Sequence, residues 1–151
     1  WPNDLFHNGK KLGGMLTEAR VDADSLRELV FGIGLNVNQT QKDWPSELKK
    51  TATSLRELTG AELDLNKTAA ILIEAIFSGY EAFLAGNIRD TFETMWPEFD
   101  ILKGELIEVE TRKGPITGVA SGLDNRGSLI LKTTDGKLTT LNSGAVHIKR
   151  R

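Results

Sequence analysis

The sequence predicts an α+β protein in which a mixed or antiparallel sheet, backed by helices, is followed by a small SH3-like β-barrel. Three observations support this class. Two glycine-containing stretches near the start have strand patterns, of which the one from Phe31 alternates strictly, and the middle of the chain has apolar residues at helical spacing. The last third has five short strand patterns separated by turn residues. We place the domain boundary so that residues 1–100 form the first domain and residues 101–151 the second.

The composition limits the class of protein. Of 151 residues, 39% are hydrophobic and 26% are charged, and the net charge is -2, as in folded globular proteins. No apolar run reaches the length of a membrane span. The chain has no cysteine, which excludes a disulfide framework and fits the cytoplasmic location that we expect. The balanced charge gives no support to DNA binding.

A hairpin opens the chain. The pair Asn8-Gly9 lies between two apolar segments, and both residue types accept the positive φ angles of a type I′ turn. This pattern predicts one strand over residues 4–7 and a second over residues 10–21. A polar turn over residues 22–25 then leads into a third strand over residues 26–38, which completes an antiparallel meander.

The third strand has one face of unusual composition. Apolar side chains alternate along the first face: Phe31, Ile33, Leu35 and Val37. The opposite face carries two glycines and two carboxamides: Gly32, Gly34, Asn36 and Asn38. Glycine weakens a strand, so the pair indicates that a ligand lies against the backbone, with the asparagines at its edge. A bulged strand without any ligand explains the same pattern equally well.

Helices follow the meander. Three segments have helical patterns: residues 54–58, 67–84 and 88–95. Gly60 and Gly86 are expected to end the first two helices, and Asn66 to cap the second. We expect these helices to pack on the apolar back of the sheet. Trp44, which precedes them, is either a buried anchor of its loop or a lid residue, and the anchor is the favoured interpretation.

The last third of the chain is rich in strands. Five strand patterns occur there: residues 105–111, 116–121, 128–133, 138–141 and 146–149. Turn residues separate them: Lys113-Gly114-Pro115, Asp124-Asn125-Arg126-Gly127 and Asp135-Gly136. No helical pattern interrupts these strands. The segment therefore predicts a closed or nearly closed barrel of the SH3-like kind.

Three motifs occur in order near the start of the chain: Trp1-Pro2-Asn3-Asp4, Asn8-Gly9-Lys10-Lys11-Leu12-Gly13-Gly14 and Gly32-Ile33-Gly34-Leu35-Asn36-Val37-Asn38. At these distances they resemble the bacterial biotin protein ligases, which attach biotin to a lysine of a carboxyl carrier protein. The stretch Ala52-Thr53-Ser54-Leu55, the following Gly60 and the terminal barrel are also similar to that family. The resemblance covers essentially the whole chain.

The resemblance implies a two-step reaction. Biotin and ATP, with Mg²⁺, give biotinyl-5′-adenylate and pyrophosphate, and the lysine amine of biotin carboxyl carrier protein then attacks the mixed anhydride. The first step joins two anionic groups, so the site needs a cation that both can share. By correspondence with the family, that cation is the ammonium group of Lys11.

The family correspondence also assigns the remaining site residues. The catalytic residues are Lys11 and Asp4. The biotin-binding positions are Lys11, Gly14, Leu16, Gly32 and Gly34, and the ATP-binding positions are Asn3, Asp4 and Asn36. The role of Asp4 stays open between orienting a lysine, holding magnesium and deprotonating the acceptor amine. Without the resemblance, Lys11 is a solvated lysine after a turn and Asp4 a turn residue.

The spacing of two of these residues gives a structural test. Lys11 and Gly14 are three residues apart, so a regular strand turns them to opposite faces. If both contact one ligand, the strand must be irregular, and we predict a bulge or kink at Gly13-Gly14.

The sequence departs from the family in two respects. The family's Gly-Arg-rich loop lies upstream of the Trp-Pro-Asn-Asp motif and does not occur here. We therefore expect this chain to be the C-terminal part of the catalytic domain plus the barrel, and to be inactive alone. Near the end, Ala145 and Lys149 replace the family's frequent glutamate and usual arginine, which puts contacts from the barrel to ATP in doubt.

Two other functions remain open. The chain is alternatively a non-catalytic module that binds biotin or docks the carrier protein, or a lipoate-type ligase. The glycine motifs favour biotin over lipoate. His7 and His147 are too isolated to indicate a metal site. A homodimer through the outer edge of the meander is compatible with the family, but the sequence gives it no independent support.

Overall fold

The computed structural model describes residues 1–23 and 25–149, and it confirms the α+β class. The elements in chain order are β1 (Asp4–His7), β2 (Lys10–Asp22), β3 (Ser25–Leu35), α1 (Leu55–Thr59), α2 (Leu65–Leu84), α3 (Ile88–Phe99), β4 (Leu106–Thr111), β5 (Gly114–Leu123), β6 (Leu129–Thr133), β7 (Leu138–Leu141) and β8 (Ala145–Ile148). The chain forms two compact units, residues 3–78 and residues 1–2 with 79–151. The domain boundary at residue 101 stays a prediction.

The first unit contains the predicted antiparallel meander, in the order β1-β2-β3. Asn8 and Gly9 have φ angles of 48° and 74°, which confirms the tight turn. At the next turn, Asp22 pairs with Ser25, so both already belong to strands, and Asp24 lies outside the described residues. The predicted end of the third strand at residue 38 is wrong, because β3 ends at Leu35.

The early end of β3 has a cause in the backbone hydrogen bonds. The carbonyl groups of Asn36 and Val37 accept from the N–H groups of Leu55 and Arg56, at 3.0 and 2.8 Å. These donors belong to the first turn of α1, which has no partners for them within the helix. The segment after β3 therefore caps a helix instead of continuing the sheet.

The helix ends follow ordinary capping rules, with one correction. The Ser54 hydroxyl accepts from the Glu57 N–H at 3.2 Å, so Ser54 caps α1, which covers residues 55–59 instead of the predicted 54–58. Gly60, with a φ of 74°, ends the helix as predicted. The predicted cap Asn66 is wrong, because α2 begins earlier, at Leu65. The Asp64 carboxylate accepts from the N–H groups of Asn66 and Lys67.

The apolar side of α2 is not covered by the described residues. No residue of this helix is buried, and Ile71, Ile73 and Phe77 are more than half exposed. The expected burial of this face against a sheet is therefore not observed for α2. No helix in the described part of the chain has both the length and the apolarity that crossing a membrane requires.

The barrel confirms the five predicted strands. Its sheet has the order β7-β6-β5-β4-β8, and every neighbouring pair is antiparallel. The core consists of apolar residues from the strands and the preceding turn: Leu102, Ile107, Val109, Ala120, Leu129 and Leu131. Trp1 packs against this core, and its indole N–H donates to the carbonyl of Gly127 at 2.9 Å.

Candidate functional site

The strand β2 is irregular close to the predicted position. Gly13 pairs with Leu5, but Lys11 pairs with Phe6, so Leu12 is an extra residue with no partner in β1. The irregularity is therefore confirmed, one residue before the predicted Gly13-Gly14. With one unpaired residue between them, Lys11 and Gly14 are turned to the same face of the sheet.

The pairing of the meander defines one face that we call the glycine face. Residues opposite each other in an antiparallel ladder share a face, and alternate residues of a strand do so as well. The pairs that set it are Asp4 with Gly14, Gly14 with Gly34, and Leu16 with Gly32. The glycine face consists of Asp4, Phe6, Lys11, Gly14, Leu16, Gly32 and Gly34. It contains every predicted catalytic and biotin-binding residue.

A close ion pair lies at one end of the glycine face. The Lys11 Nζ is 2.7 Å from the Asp4 Oδ1, and the two side chains are 47% and 36% exposed. A Cβ atom placed on Gly14 would lie 3.0 Å from the Asp4 Oδ1 and 3.6 Å from the Lys11 Cε. The ammonium is therefore held over Gly14 and still accessible to a ligand.

The four strand glycines of the meander differ in what surrounds them. A Cβ on Gly13 would lie 2.6 Å from the carbonyl oxygen of Gly34, so the close approach of β3 requires a glycine there. A Cβ on Gly32 or Gly34 would meet nothing closer than 3.7 or 4.0 Å. Those two positions have room for a side chain, so the protein itself gives no steric reason for glycine.

The asparagines are used mainly to hold the backbone. Asn3 donates from its amide nitrogen to the Met15 carbonyl, and Asn36 donates to the carbonyl of Thr53 at 3.0 Å. Asn38 bonds through both amide atoms to the backbone of Leu63, at 2.7 and 2.9 Å. The amide of Asn38 is thus occupied by the backbone of Leu63, and its place at the edge of a ligand stays a prediction. For Asn3 and Asn36, ATP binding stays a prediction.

Lys11 is one of the residues that line a cleft of ≈ 600 Å³. Its walls are apolar and include Phe6, Leu35, Trp44 and Leu48, while Gly14 and Gly34 also line it. Trp44 is only 9% exposed, which confirms that it is an anchor of its loop. The cleft combines one cation with apolar walls, as sites for small carboxylic acids require.

Sequence reasoning missed a hydrogen-bond centre beside this cleft. The Glu57 carboxylate accepts from the Gln41 amide at 2.8 Å, the Trp44 indole at 3.3 Å and the Thr53 hydroxyl at 3.1 Å. The spacing of Ser54 and Glu57 matches a capping box, which was the available signal. In a capping box the glutamate reaches back to the cap, whereas here it holds the preceding loop.

Other polar groups lie outside this site. The Lys149 Nζ is 2.9 Å from the Glu108 Oε1, and this bond lowers the pKa of the Glu108 carboxyl below its ordinary value. His7 and His147 are exposed. Among the described residues, no three His, Cys, Asp or Glu side chains form a group that could hold a metal ion. In the part of the chain that the structure describes, the carboxylate in contact with the Lys11 ammonium is that of Asp4.

Comparison with known proteins agrees with the sequence motifs. The family model described as "Biotin protein ligase C terminal domain" matches residues 104–148. The chain is 34% identical over 136 residues to the bifunctional ligase/repressor BirA of Bacillus subtilis, covering 90% of this chain and 42% of that protein. It is 30% identical over 151 residues to the biotin–(acetyl-CoA-carboxylase) ligase of Mycobacterium tuberculosis, covering 99% and 52%.

Solved structures give the same result. Biotin protein ligase from Aquifex aeolicus in complex with biotin and ATP superposes with a TM-score of 0.82 at 28% identity, over 99% of this chain and 61% of that one. The apo structure of the enzyme from the same organism gives a TM-score of 0.83. The chain thus spans less than half of the Bacillus relative and about three fifths of the solved chains. By sequence and by structure, this chain is thus similar over nearly its whole length to bacterial biotin protein ligases, and its residues 104–148 match their C-terminal domain.

Proposed function

We propose that this chain supplies the lysine-bearing part of a biotin ligase site, which makes biotinyl-5′-adenylate and transfers biotin to a lysine of a biotin carboxyl carrier protein. One observation carries the proposal: the ammonium of Lys11 and the open positions Gly32 and Gly34 share one face of the meander. The Mycobacterium relative is a biotin–(acetyl-CoA-carboxylase) ligase, which supports the choice of substrate.

Lys11 serves the adenylation step. A biotin carboxylate oxygen attacks the α-phosphorus of ATP, the bond from that phosphorus to the β-phosphate oxygen breaks, and pyrophosphate leaves. Both reacting groups are anionic, so a cation between them lowers the barrier by stabilising the negative charge of the transition state. The ion pair with Asp4 holds the Lys11 side chain in place beforehand.

The second step needs less from these residues. The amine nitrogen of the carrier's lysine attacks the acyl carbon, the bond to the phosphate oxygen breaks, AMP leaves, and the nitrogen loses a proton. Of the three roles open to Asp4, orientation of Lys11 is the one that their 2.7 Å contact supports. No step is assigned to Mg²⁺, which we expect to arrive with the phosphates of ATP.

The glycine face accommodates the rings of biotin. Gly32 and Gly34 leave the backbone bare, and Leu16, which is 61% exposed, offers apolar surface beside them. Asn3 directly precedes β1 and Asn36 directly follows β3, and both are assigned to the adenylate. The homodimer and the cytoplasmic location remain predictions.

A binding and turnover experiment tests the proposal in the polypeptide that the gene encodes. Calorimetric titration with biotin, lipoate and ATP is combined with an assay of biotin-dependent pyrophosphate release. We expect biotin binding and turnover, with Lys11→Met lowering the rate roughly 10²- to 10³-fold, because one charge-stabilising donor is lost. Lys10→Met is the matched control and should keep the wild-type rate.

The alternatives give different results. Biotin binding without pyrophosphate release leaves only a binding or docking module. Turnover with lipoate in place of biotin indicates the lipoate-type ligase. A full rate in Lys11→Met contradicts the assigned chemistry.

A further inference from the structure

The backbone of Lys11 is held on both sides by a segment outside the meander, residues 51–53. The Lys11 N–H donates to the carbonyl of Thr51 at 2.7 Å, and the Thr53 N–H donates to the carbonyl of Lys11 at 2.9 Å. These two bonds form a parallel bridge between Lys11 and Ala52. Because β3 ends at Leu35, opposite Gly13, the segment supplies the pairing that fixes the peptide groups of Lys11 on that edge of β2.

That segment is in turn fixed by Glu57. Its carboxylate accepts from the hydroxyl of Thr53 and from the side chains of Gln41 and Trp44. Thr53 is 3% exposed and Trp44 9% exposed, so two of these donors are largely removed from water. Bonds to an ionised acceptor are stronger than neutral ones, and a buried donor that loses its acceptor destabilises its surroundings.

Glu57 has no contact with the open face of the site. Its carboxylate is directed to Gln41, Trp44 and Thr53, and the cleft beside Lys11 is lined by other residues. The amide of Asn36 adds a second brace, since it donates to the carbonyls of Thr53 and Lys11 at 3.0 and 3.4 Å. The contacts therefore connect Glu57 to Thr53, and Thr53 to the backbone of Lys11.

We propose that Glu57 is a positioning residue that acts through Thr53 to hold Lys11 for adenylate formation, an inference that rests on the proposed function. The ammonium has to meet two oxygens of different molecules, and misplacement by about 1 Å can cost roughly 10²-fold in rate. Loss of the Glu57 bonds loosens residues 51–53, and the backbone that carries the ammonium loosens with them.

The test uses Glu57→Gln in the polypeptide that the gene encodes. This change keeps the size of the side chain but removes the charge and replaces one accepting oxygen with a donor. We expect biotin-dependent pyrophosphate release to slow roughly 10- to 100-fold. In a Lys11→Met background the same change should cause no further loss, because two residues that act through one group are not additive.

Hydrogen exchange measures the positioning directly. The amides of Lys11 and Thr53 should exchange at least about tenfold faster in Glu57→Gln, whereas the amides of Ile107 and Val109 in the barrel should not change. Glu47→Gln is the matched control. Glu47 lies in the loop that contains Gln41 and Trp44, and its carboxylate accepts from the neighbouring Ser46 hydroxyl. Glu47→Gln should change neither the rate of pyrophosphate release nor the exchange of the Lys11 and Thr53 amides. If Glu57→Gln does not fold, Thr53→Val removes the connecting hydroxyl alone.

The outcomes separate the two proposals. A normal rate, unchanged exchange at Lys11 and Thr53, or a rate loss that is undiminished in the Lys11→Met background overturns the role of Glu57 and leaves the proposed function standing. Absence of biotin-dependent turnover in the wild-type protein overturns the proposed function, and the positioning role with it.

Discussion

The barrel and the meander are both antiparallel sheets with glycines inside their strands, but those glycines have different causes. In the barrel, a Cβ on Gly118 would lie 2.5 Å from the carbonyl oxygen of Lys132, so the packing of β5 on β6 excludes any side chain. In the meander, Gly13 is equally confined, whereas Gly32 and Gly34 have free space above them. A strand glycine without a close neighbour is therefore the stronger indicator of a ligand.

The two sheets also differ in how they bury apolar residues. Ile107, Val109 and Leu131 of the barrel are 0% exposed, whereas Leu16 and Phe31 of the meander are 61% and 47% exposed. A sheet that buries its own side chains derives its stability from them. The barrel is thus a self-contained scaffold, and the meander offers an open surface.

The largest effect on stability is expected in the barrel core. Ile107→Ala removes a fully buried side chain and should lower the free energy of unfolding of the barrel by about 2–5 kcal/mol. Leu138→Ala, at a position that is 68% exposed, is the control and should change it by less than about 0.5 kcal/mol. Urea titration measures both. Equal losses in the two variants contradict the assignment of Ile107 to the core of the barrel.

A matched pair of glycine substitutions tests the meander. Gly13→Ala forces the Cβ against the carbonyl of Gly34 and should destabilise the meander by about 1–3 kcal/mol. Gly34→Ala finds free space, so it should change stability by less than about 0.5 kcal/mol and instead weaken biotin binding. Hydrogen exchange of the β2 amides measures the loss of stability, and calorimetric titration measures the affinity for biotin. Unaltered biotin affinity in a folded Gly34→Ala protein argues against a ligand at this position.

The smallest effect concerns pH. Backbone N–H groups of Ser128 and then Arg126 hold the pKa of Asp124 below its ordinary 3.8. A carboxyl whose pKa is lowered by folding stabilises the fold above its unfolded pKa, and this contribution is lost as pH falls through the folded value. The Tm of the barrel should therefore decrease below a pH of about 4, and less steeply in Asp124→Asn. Asp22→Asn in the meander should keep the wild-type slope.

Much of the fold follows from local sequence signals. The turn at Asn8-Gly9 and the helix end at Gly60 depend on neighbouring residues alone, and both were predicted correctly. Turn residues separate the strand patterns of the barrel, so the number of strands could be predicted from the sequence. Lys11 and Gly14 are an odd number of positions apart, so a shared ligand requires an irregular strand between them. The irregularity at Leu12 agrees with that prediction.

What the sequence did not predict depends on contacts between distant residues. Asn38 bonds to Leu63, and the carbonyls of Asn36 and Val37 end β3 by capping α1. The pattern of alternation continues through Asn38, so it gives no signal of this change. Glu57 matches a capping motif locally, but its partners Gln41 and Trp44 lie in a loop of irregular structure. The ligand roles of the site residues stay predictions, since side-chain positions alone do not test them.

The two-residue length of the turn at Asn8-Gly9 determines where the charge of Lys11 is displayed. With two residues in the turn, His7 pairs with Lys10, and the surplus residue has to be accommodated further along, at Leu12. If the turn took in one residue more, Leu12 would have a partner in β1 and the ladder would be regular. The Lys11 side chain would then point to the opposite face of the meander, although the amino-acid sequence is unchanged. Catalytic competence in this fold would then depend on the geometry of a turn whose Gly9 also lines the cleft.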